Sequence, residues 1–295
     1  IEAKQALSQE NKFIHPGILH TRESLERIRH YVDQKINPAY QSYLLLQADP
    51  CASSDYQLQG PFEVIARLGV NSYTKRPSED DHKAAYLNAL MWTITGKEAH
   101  ARKSIEILNA YSAVLKLIGP NDNDDPLCAS LQGSMLANAA ELIKYTYDKV
   151  EKKDIASWEH MLRTVFIPVL DTFFKAKPYT NGNWGAAATK AYMAFGIFLD
   201  DESLYNQAVD FYYNGHDNGT IKNYISESGQ CQESGRDQDH VMFGLGNLSE
   251  VCETGYNQGD EKMYAALDNR LLTGYEYTVK YNLGESVPFK VWTDI

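Results

Sequence analysis

No apolar run in this chain approaches the ~20 residues needed to span a bilayer. Those present are short and interrupted, as in Tyr192-Met193-Ala194-Phe195-Gly196-Ile197-Phe198-Leu199. Positive charge is scarce: 28 Lys and Arg stand against 39 Asp and Glu, a formal net charge of −11. That balance lacks the footprint of general nucleic-acid binding. It leaves room for an acidic ligand, because a locally positive cleft can sit inside a negative shell. Cysteines number four, Cys51, Cys128, Cys231 and Cys252, with no CxxC pair, so a zinc site is not expected. Free and one-bridge states both stay open. HExxH, GxxxxGK and GxSxG are missing too, which removes the sequence grounds for metalloprotease, nucleotide and serine-hydrolase chemistry. His82, His100, His160 and His216 stand alone, at spacings that build no metal triad. Neither a metal nor a cofactor is expected. The chain opens on Ile1 instead of Met, which reads as a processed N-terminus and a secreted or periplasmic protein whose leader has been removed.

What is present is a folded composition, 43% hydrophobic and 12% aromatic over 295 residues. That length suits one large domain or two ordinary ones, and we expect a single domain over 1–295. Twenty tyrosines and four tryptophans can line a groove for sugar rings or simply build a core. Asn218-Gly219-Thr220 and Asn247-Leu248-Ser249 match the glycosylation pattern, a match that arises readily by chance.

Helical periodicity dominates. Thr21 caps a helix through Leu25, Ile28, Tyr31 and Val32. Further helices are expected from Asp80 or Asp81 to near Gly96, and over about 98–117, 130–147, 154–174, 186–199, 203–213, 237–254 and 261–280. Strands are expected only at 63–66 and 287–292. The helices come in pairs joined by turns such as Thr95-Gly96-Lys97 and Gly259-Asp260, repeating roughly every 40–60 residues. Stacked helical hairpins follow, as a solenoid or a closed α/α toroid. Two irregular stretches, about 48–80 and 214–236, interrupt the rhythm, and long irregular segments in a compact helical domain tend to carry function.

Three polar clusters could carry chemistry. The densest, Gly229-Gln230-Cys231-Gln232-Glu233-Ser234-Gly235-Arg236-Asp237-Gln238-Asp239-His240, leads into a helix on which Arg236 and His240, four apart, would share a face. A guanidinium beside an imidazole could hold a carboxylate and move a proton. A solvated first turn with acids near the helix N-terminus has the same composition. The second cluster is Tyr179-Thr180-Asn181-Gly182-Asn183-Trp184-Gly185. It reads equally as a tight turn and as amide donors for an oxygen anion beside an indole face for a sugar. The third, Gln59-Gly60-Pro61-Phe62-Glu63-Val64-Ile65-Ala66-Arg67, offers Arg67 as a carboxylate clamp or as a surface arginine. His15 and His20 read as structural hydrogen-bonders before the first helix.

Together these clusters resemble the alginate lyase superfamily of polysaccharide lyases, and most closely its bacterial branch acting on mannuronan and glucuronan. The resemblance runs over most of the chain: His15-Pro16-Gly17, Gly60-Pro61-Phe62-Glu63, Ile94-Thr95-Gly96, Ile107-Leu108-Asn109-Ala110-Tyr111, Asn181-Gly182-Asn183-Trp184-Gly185 and Gln232-Glu233-Ser234-Gly235-Arg236-Asp237-Gln238. The asparagine–tryptophan turn and the Glu-Ser-Gly-Arg-Asp-Gln run are the specific parts. The resemblance implies an all-α fold, an incomplete (α/α) toroid of stacked helical hairpins with a cleft across one face. It also implies cleavage of a 4-linked polyuronate by β-elimination, leaving a C4–C5 unsaturated end.

Carried over by motif, Asn183 and Arg236 neutralise the substrate carboxylate, and His240 is the base or its partner. Gln59, Arg67, Asn181, Trp184 and Glu233 are the expected substrate contacts. The turn departs from the family's better-known members, which carry an Asn-His pair before the tryptophan; here it reads Asn181-Gly182-Asn183, with no histidine. The proton acceptor must then be His240 or a tyrosine. Tyr281 is the first candidate for the tyrosine, with Tyr224 behind it. The resemblance also implies a chain running past Ile295, where the tyrosine could lie instead. The expected partner is an acidic polysaccharide. Two other functions fit the scaffold: a uronyl glycoside hydrolase, with Glu233 and Asp237 or Asp239 as its carboxyl pair, or a non-catalytic helical glycan-binding protein.

Overall fold

The computed structural model describes residues 13–120 and 124–292. Helix α1 (Arg22–Asp33) starts where the sequence places it, in a capping box: Ser24 N–H donates to Thr21 Oγ1 and Thr21 N–H donates to Ser24 Oγ. Helix α2 (Ala39–Ala48) has no counterpart in the periodicity reading, because its apolar residues run round the helix and none is buried. Helices α3 (Lys75–Thr95) and α4 (Glu98–Val114) turn on Gly96, whose φ of 67° is left-handed backbone that glycine adopts without strain.

The helix expected from Asp80 or Asp81 therefore begins earlier, at Lys75. Asp81 does not cap it. Its buried carboxylate reaches back to the irregular stretch and accepts from the Tyr56 and Tyr111 hydroxyls and from Gln59 and Gly60 N–H.

Helix α5 (Asp125–Thr146) follows. Next come α6 (Lys152–Met161), a π turn (Leu162–Phe166) and α7 (Ile167–Phe173), which occupy the span read as one helix. Helices α8 (Gly182–Phe198), α9 (Glu202–Asn214), the single-turn α10 (Ile221–Tyr224), α11 (Gln238–Asn257) and α12 (Ala266–Asn282) complete the order. Helix α12 starts later than Glu261 because Met263 turns into the core against Gly255, and its carbonyl accepts from the Tyr212 hydroxyl.

Val64–Ile65 (β1) pairs in parallel with Leu117–Ile118 (β2). The strand expected over 287–292 does not form. That segment is instead tied to the body by side chains: the Gln230 amide both donates to and accepts from the Lys290 backbone, and the Tyr277 hydroxyl donates to Pro288 O.

The hairpins stack into an incomplete (α/α) toroid. Helices α3, α5, α8 and α11 neighbour one another in turn as the inner layer, backed by α4, α6–α7, α9 and α12. Small residues let the inner helices approach closely: Ala84, Ala85, Ala89, Ala137, Ala186, Ala188, Ala191 and Ala194 are all fully buried in one contiguous core. The C-terminal ends of the inner helices meet at residues 14–20. Trp92 Nε1 donates to Thr146, Lys144 to Phe198 O, and Asn257 to Ile18 O, while His15 bridges Glu141 and Asp200. Their N-terminal ends thus gather at the other end, where the irregular stretches before α3 and α11 also lie. All four cysteines are buried and free. Asn218 and Asn247 are buried as well, which closes both glycosylation triplets. Among the described residues no helix is long and apolar enough to cross a membrane.

Candidate active site

The first turn of α8 is built by close backbone approach. A Cβ on Gly182 would lie 2.3 Å from Asn218 O and 2.4 Å from the Tyr224 ring. No side chain of its own caps this helix; the Gln232 amide oxygen accepts from Gly182 N–H at 2.7 Å instead. Asn218 ties down the preceding residue by donating to Thr180 O. The turn reading and the site reading of Asn181–Gly185 are therefore compatible. The turn buries Asn183 at 1% exposure and leaves Asn181 and Trp184 half-buried.

The Glu-Ser-Gly-Arg run is a compact turn. Ser234 N–H donates to Cys231 O and Arg236 N–H to Glu233 O, which sends Glu233 inward and Arg236 outward. Arg236 is not on α11, contrary to the expected shared helix face. Asp237 takes the N-cap, with φ −167° and its side chain accepting from His240 N–H, so the helix starts at Gln238 and Arg236 lies outside it.

Asn183 and Arg236 nevertheless converge, on Glu233. Asn183 Nδ2 lies 2.6 Å from both carboxylate oxygens, and the Arg236 guanidinium donates to one of them at 3.1 Å. Both nitrogens therefore touch the same oxygen, well within the reach of one sugar unit. His240, one turn into α11, places Nδ1 2.7 Å from both oxygens of Asp237. The His240 backbone N–H and imidazole hold the Asp237 carboxyl below the ordinary range, so it is ionised and Nδ1 carries the donated proton. Nε2 is the ring nitrogen left free of Asp237.

The other candidates fall elsewhere. Glu233, expected to contact substrate, is 3% exposed and committed to Asn183 and Arg236. It cannot serve as the acid of a hydrolase pair, and Asp237 is committed to His240. The Tyr224 phenol is fully buried, donating to His240 O at 3.1 Å, and burial drives its pKa far above the ordinary range. Tyr281 is exposed and lines a cavity of about 460 Å³ with Gln238, Val241, Tyr277 and Phe289. That cavity reaches the site turn through Ser234 and Gly235, but Asn183, Arg236 and His240 do not line it.

Gln59 belongs to the cluster round Asp81, where its amide donates to the Tyr56 hydroxyl. Arg67 is ion-paired with Glu79 at 2.9 Å and with Asp124 at 3.3 Å. It lines a cavity of about 530 Å³ at the ring centre, together with Arg76, Lys83, Lys190 and Glu250. Lys190 lies about two turns along α8 from Asn183, so the cavity and the Asn183 cluster share that helix.

Sequence reasoning missed Gln232 as a helix cap and Asp81 as the organiser of residues 56–60. It also missed Asp217, whose buried carboxyl accepts from Gly219 N–H beside Gly185 and is pushed up to about 6 by burial. No sequence signal marks these three, because each acts through a partner distant in the chain or through backbone.

The family model for alginate lyase matches residues 72–289. Among solved structures, the chain is similar to alginate lyase A1-III from Sphingomonas species A1, with 13% identity, a TM-score of 0.69, and coverage of 92% of this chain and 81% of that one. A tyrosine-to-phenylalanine variant of A1-III complexed with tetrasaccharide gives 14% identity, a TM-score of 0.70 and coverage of 94% and 81%. An alginate lyase from Bacteroides ovatus gives 12%, 0.63, 91% and 84%. At such identities the likeness is one of fold. By sequence, no curated protein matches.

Proposed function

Because the chain belongs to the alginate lyase family of polysaccharide lyases, we propose that it cleaves a 4-linked polyuronate, mannuronan or glucuronan, by β-elimination at the Asn183–Arg236–His240 cluster. The observation that carries the reading is the convergence of Asn183 and Arg236 on one carboxylate oxygen, at the end of the toroid where His240 is bonded through Nδ1 to Asp237.

The chemistry follows from those groups. The C5 proton is weakly acidic, and removing it loads negative charge onto the C6 carboxylate. Arg236 donates to that charge as it grows, held in place by Glu233 and, behind it, the buried Asn183 amide; this is the electrostatic term that usually dominates. His240 Nε2 takes the C5 proton while Asp237 stabilises the imidazolium. The C4–O4 bond then breaks, its electrons leave with O4, and the C4–C5 double bond forms. His240 returns the proton to O4. One group can serve both ends where the C5 proton and O4 lie on the same side of the sugar ring. That holds for mannuronate and glucuronate but not for guluronate. Tyr224 is locked and Tyr281 faces another cavity, which supports His240 in both roles. Arg67, Arg76, Lys83 and Lys190 line the ring-centre cavity, each already ion-paired with an acid of the chain, so the neighbouring carboxylates of the polymer would bind there by displacing Glu79, Asp80, Asp49 or Glu250. We read residues 1–295 as one lyase domain, and a substrate too large to cross a membrane fits a secreted or periplasmic site of action.

The test is ultraviolet absorbance of the new C4–C5 double bond during incubation with mannuronan, guluronan and glucuronan. Absorbance should rise on mannuronan or glucuronan. Chain cleavage without absorbance would be hydrolysis and would overturn the reading. Activity should survive EDTA, because the protein's own donors neutralise the carboxylate. Full loss restored by a divalent ion would show that mechanism to be wrong.

A further inference from the structure

We propose that Glu233 is the positioning residue of the elimination site, held in the core by the Asn183 amide and fixing the Arg236 guanidinium that faces the substrate. The inference rests on the elimination reading above. Glu233's side chain is 2% accessible and that of Arg236 is 46% accessible, so the pair has one end in the core and the other in the open. A buried carboxylate is retained only where it is paired, since its desolvation is costly. The partners of Glu233 are the site's own groups: Asn183 Nδ2 on both oxygens, Arg236 on Oε1, and the Tyr224 hydroxyl at 3.5 Å from Oε2.

Two consequences follow for the chemistry. The two ends of an asparagine amide are nearly alike in shape, and a carboxylate beside Asn183 decides which end faces inward. The nitrogen takes that place, donating to both carboxylate oxygens, while Oδ1 is buried with no partner. Arg236 is fixed through the same oxygen, so the guanidinium is aligned before charge develops on the substrate. Such pre-alignment lowers the barrier without a matching gain in ground-state binding. A glutamine at this position would present one acceptor and one donor to two donors, and one of the two would be released.

The experiment compares wild type, Glu233→Gln, Arg236→Ala and the double variant on the preferred polyuronate, reading kcat and KM from double-bond absorbance and the fold from circular dichroism. Glu233→Gln should lose about 10–100-fold in kcat, the range typical of residues that orient catalytic groups, while KM moves much less. In the Arg236→Ala background it should cost far less than it does alone, because groups that act as one unit are non-additive. Full additivity, or native kcat in Glu233→Gln, overturns the proposal. If Glu233→Gln does not fold, Glu233→Asp carries the same test: it keeps the charge but not the reach to both partners. A wild type that yields no double bond overturns the elimination reading and this inference with it. A wild type that eliminates beside an unaffected Glu233→Gln overturns this inference alone.

Discussion

At Arg236 the guanidinium meets a carboxylate whose charge grows toward the transition state. Arg236→Ala should therefore lose on the order of 10²–10³ in kcat, as when one donor is removed from an oxyanion site. Arg236→Lys should not restore it, because an ammonium keeps the charge but loses the planar fork that spans Glu233 and substrate. Circular dichroism should show both variants folded, since the side chain is half-exposed and outside α11. Near-native kcat with weaker binding would make Arg236 a ground-state clamp. Asp237 separates two roles in one residue. Asn is as good an N-cap as Asp, so Asp237→Asn should keep the thermal midpoint within a few degrees. The same change removes the anion that fixes the imidazole and should lower kcat by roughly 10². At this scale the sequence was legible by type: an amide, a guanidinium and an imidazole suit a carboxylate, and the three side chains are linked through Glu233 and Asp237. Glu233 was not legible, because which of several acids turns inward depends on a turn closed by backbone hydrogen bonds.

The elements show where periodicity suffices and where it does not. Helices with a clear apolar stripe, such as α4 and α9, lie close to their expected bounds. The misses have local causes. Asp81 has the composition of a cap and instead spends its carboxylate on the 56–60 loop, while Met263 draws the chain out of helix before α12. The start of α8 gives two predictions. Gly182→Ala places a methyl against Asn218 O and the Tyr224 ring, and should destabilise by about 1–3 kcal/mol, the usual cost of overpacking, as read from the denaturant midpoint. Asp217 lies in the same contact. Burial raises its folded pKa from 3.8 to about 6, so the folded state binds the proton more tightly than the unfolded one. Its contribution is fully present below pH 3.8 and lost as pH rises to 6. Asp217→Asn keeps the oxygen that accepts from Gly219 and removes the charge. It should stabilise the protein by about 3 kcal/mol at pH 8 and by nothing near pH 4. A gain that is equal at both pH values would count against this account.

Across the whole molecule, paired helices announce stacked hairpins, but not which helices line the ring or what closes its far end. Closure comes from residues 14–20, too few and too irregular to carry a period, and it makes the fold sensitive to acid. His20 Nε2 bonds the Tyr86 hydroxyl, and burial lowers the histidine's pKa to about 4. His82, on α3 with its ring against Tyr111 of α4, is lowered to about 3, again by burial. For both, the unfolded chain binds the proton first. Their stability contribution is therefore complete above pH 6.5 and falls as pH drops toward 4 and 3. His15 works in the opposite sense: burial lowers its pKa, but the Glu141 and Asp200 carboxylates outweigh that and raise it overall. Its contribution is complete below pH 6.5 and is lost as pH rises through the raised value. Two histidines gain while Asp217 alone loses as pH rises toward 6.5, so these groups place the stability maximum near pH 6.5. The denaturant midpoint measured from pH 4 to 9 should fall on both sides. His20→Gln keeps a hydrogen-bonding partner for Tyr86 but cannot titrate, so it should flatten the acid side and leave the alkaline side unchanged. An acid limb as steep in His20→Gln as in wild type would mean that His20 does not titrate on unfolding, and the fall would then belong to His82 and the carboxylates.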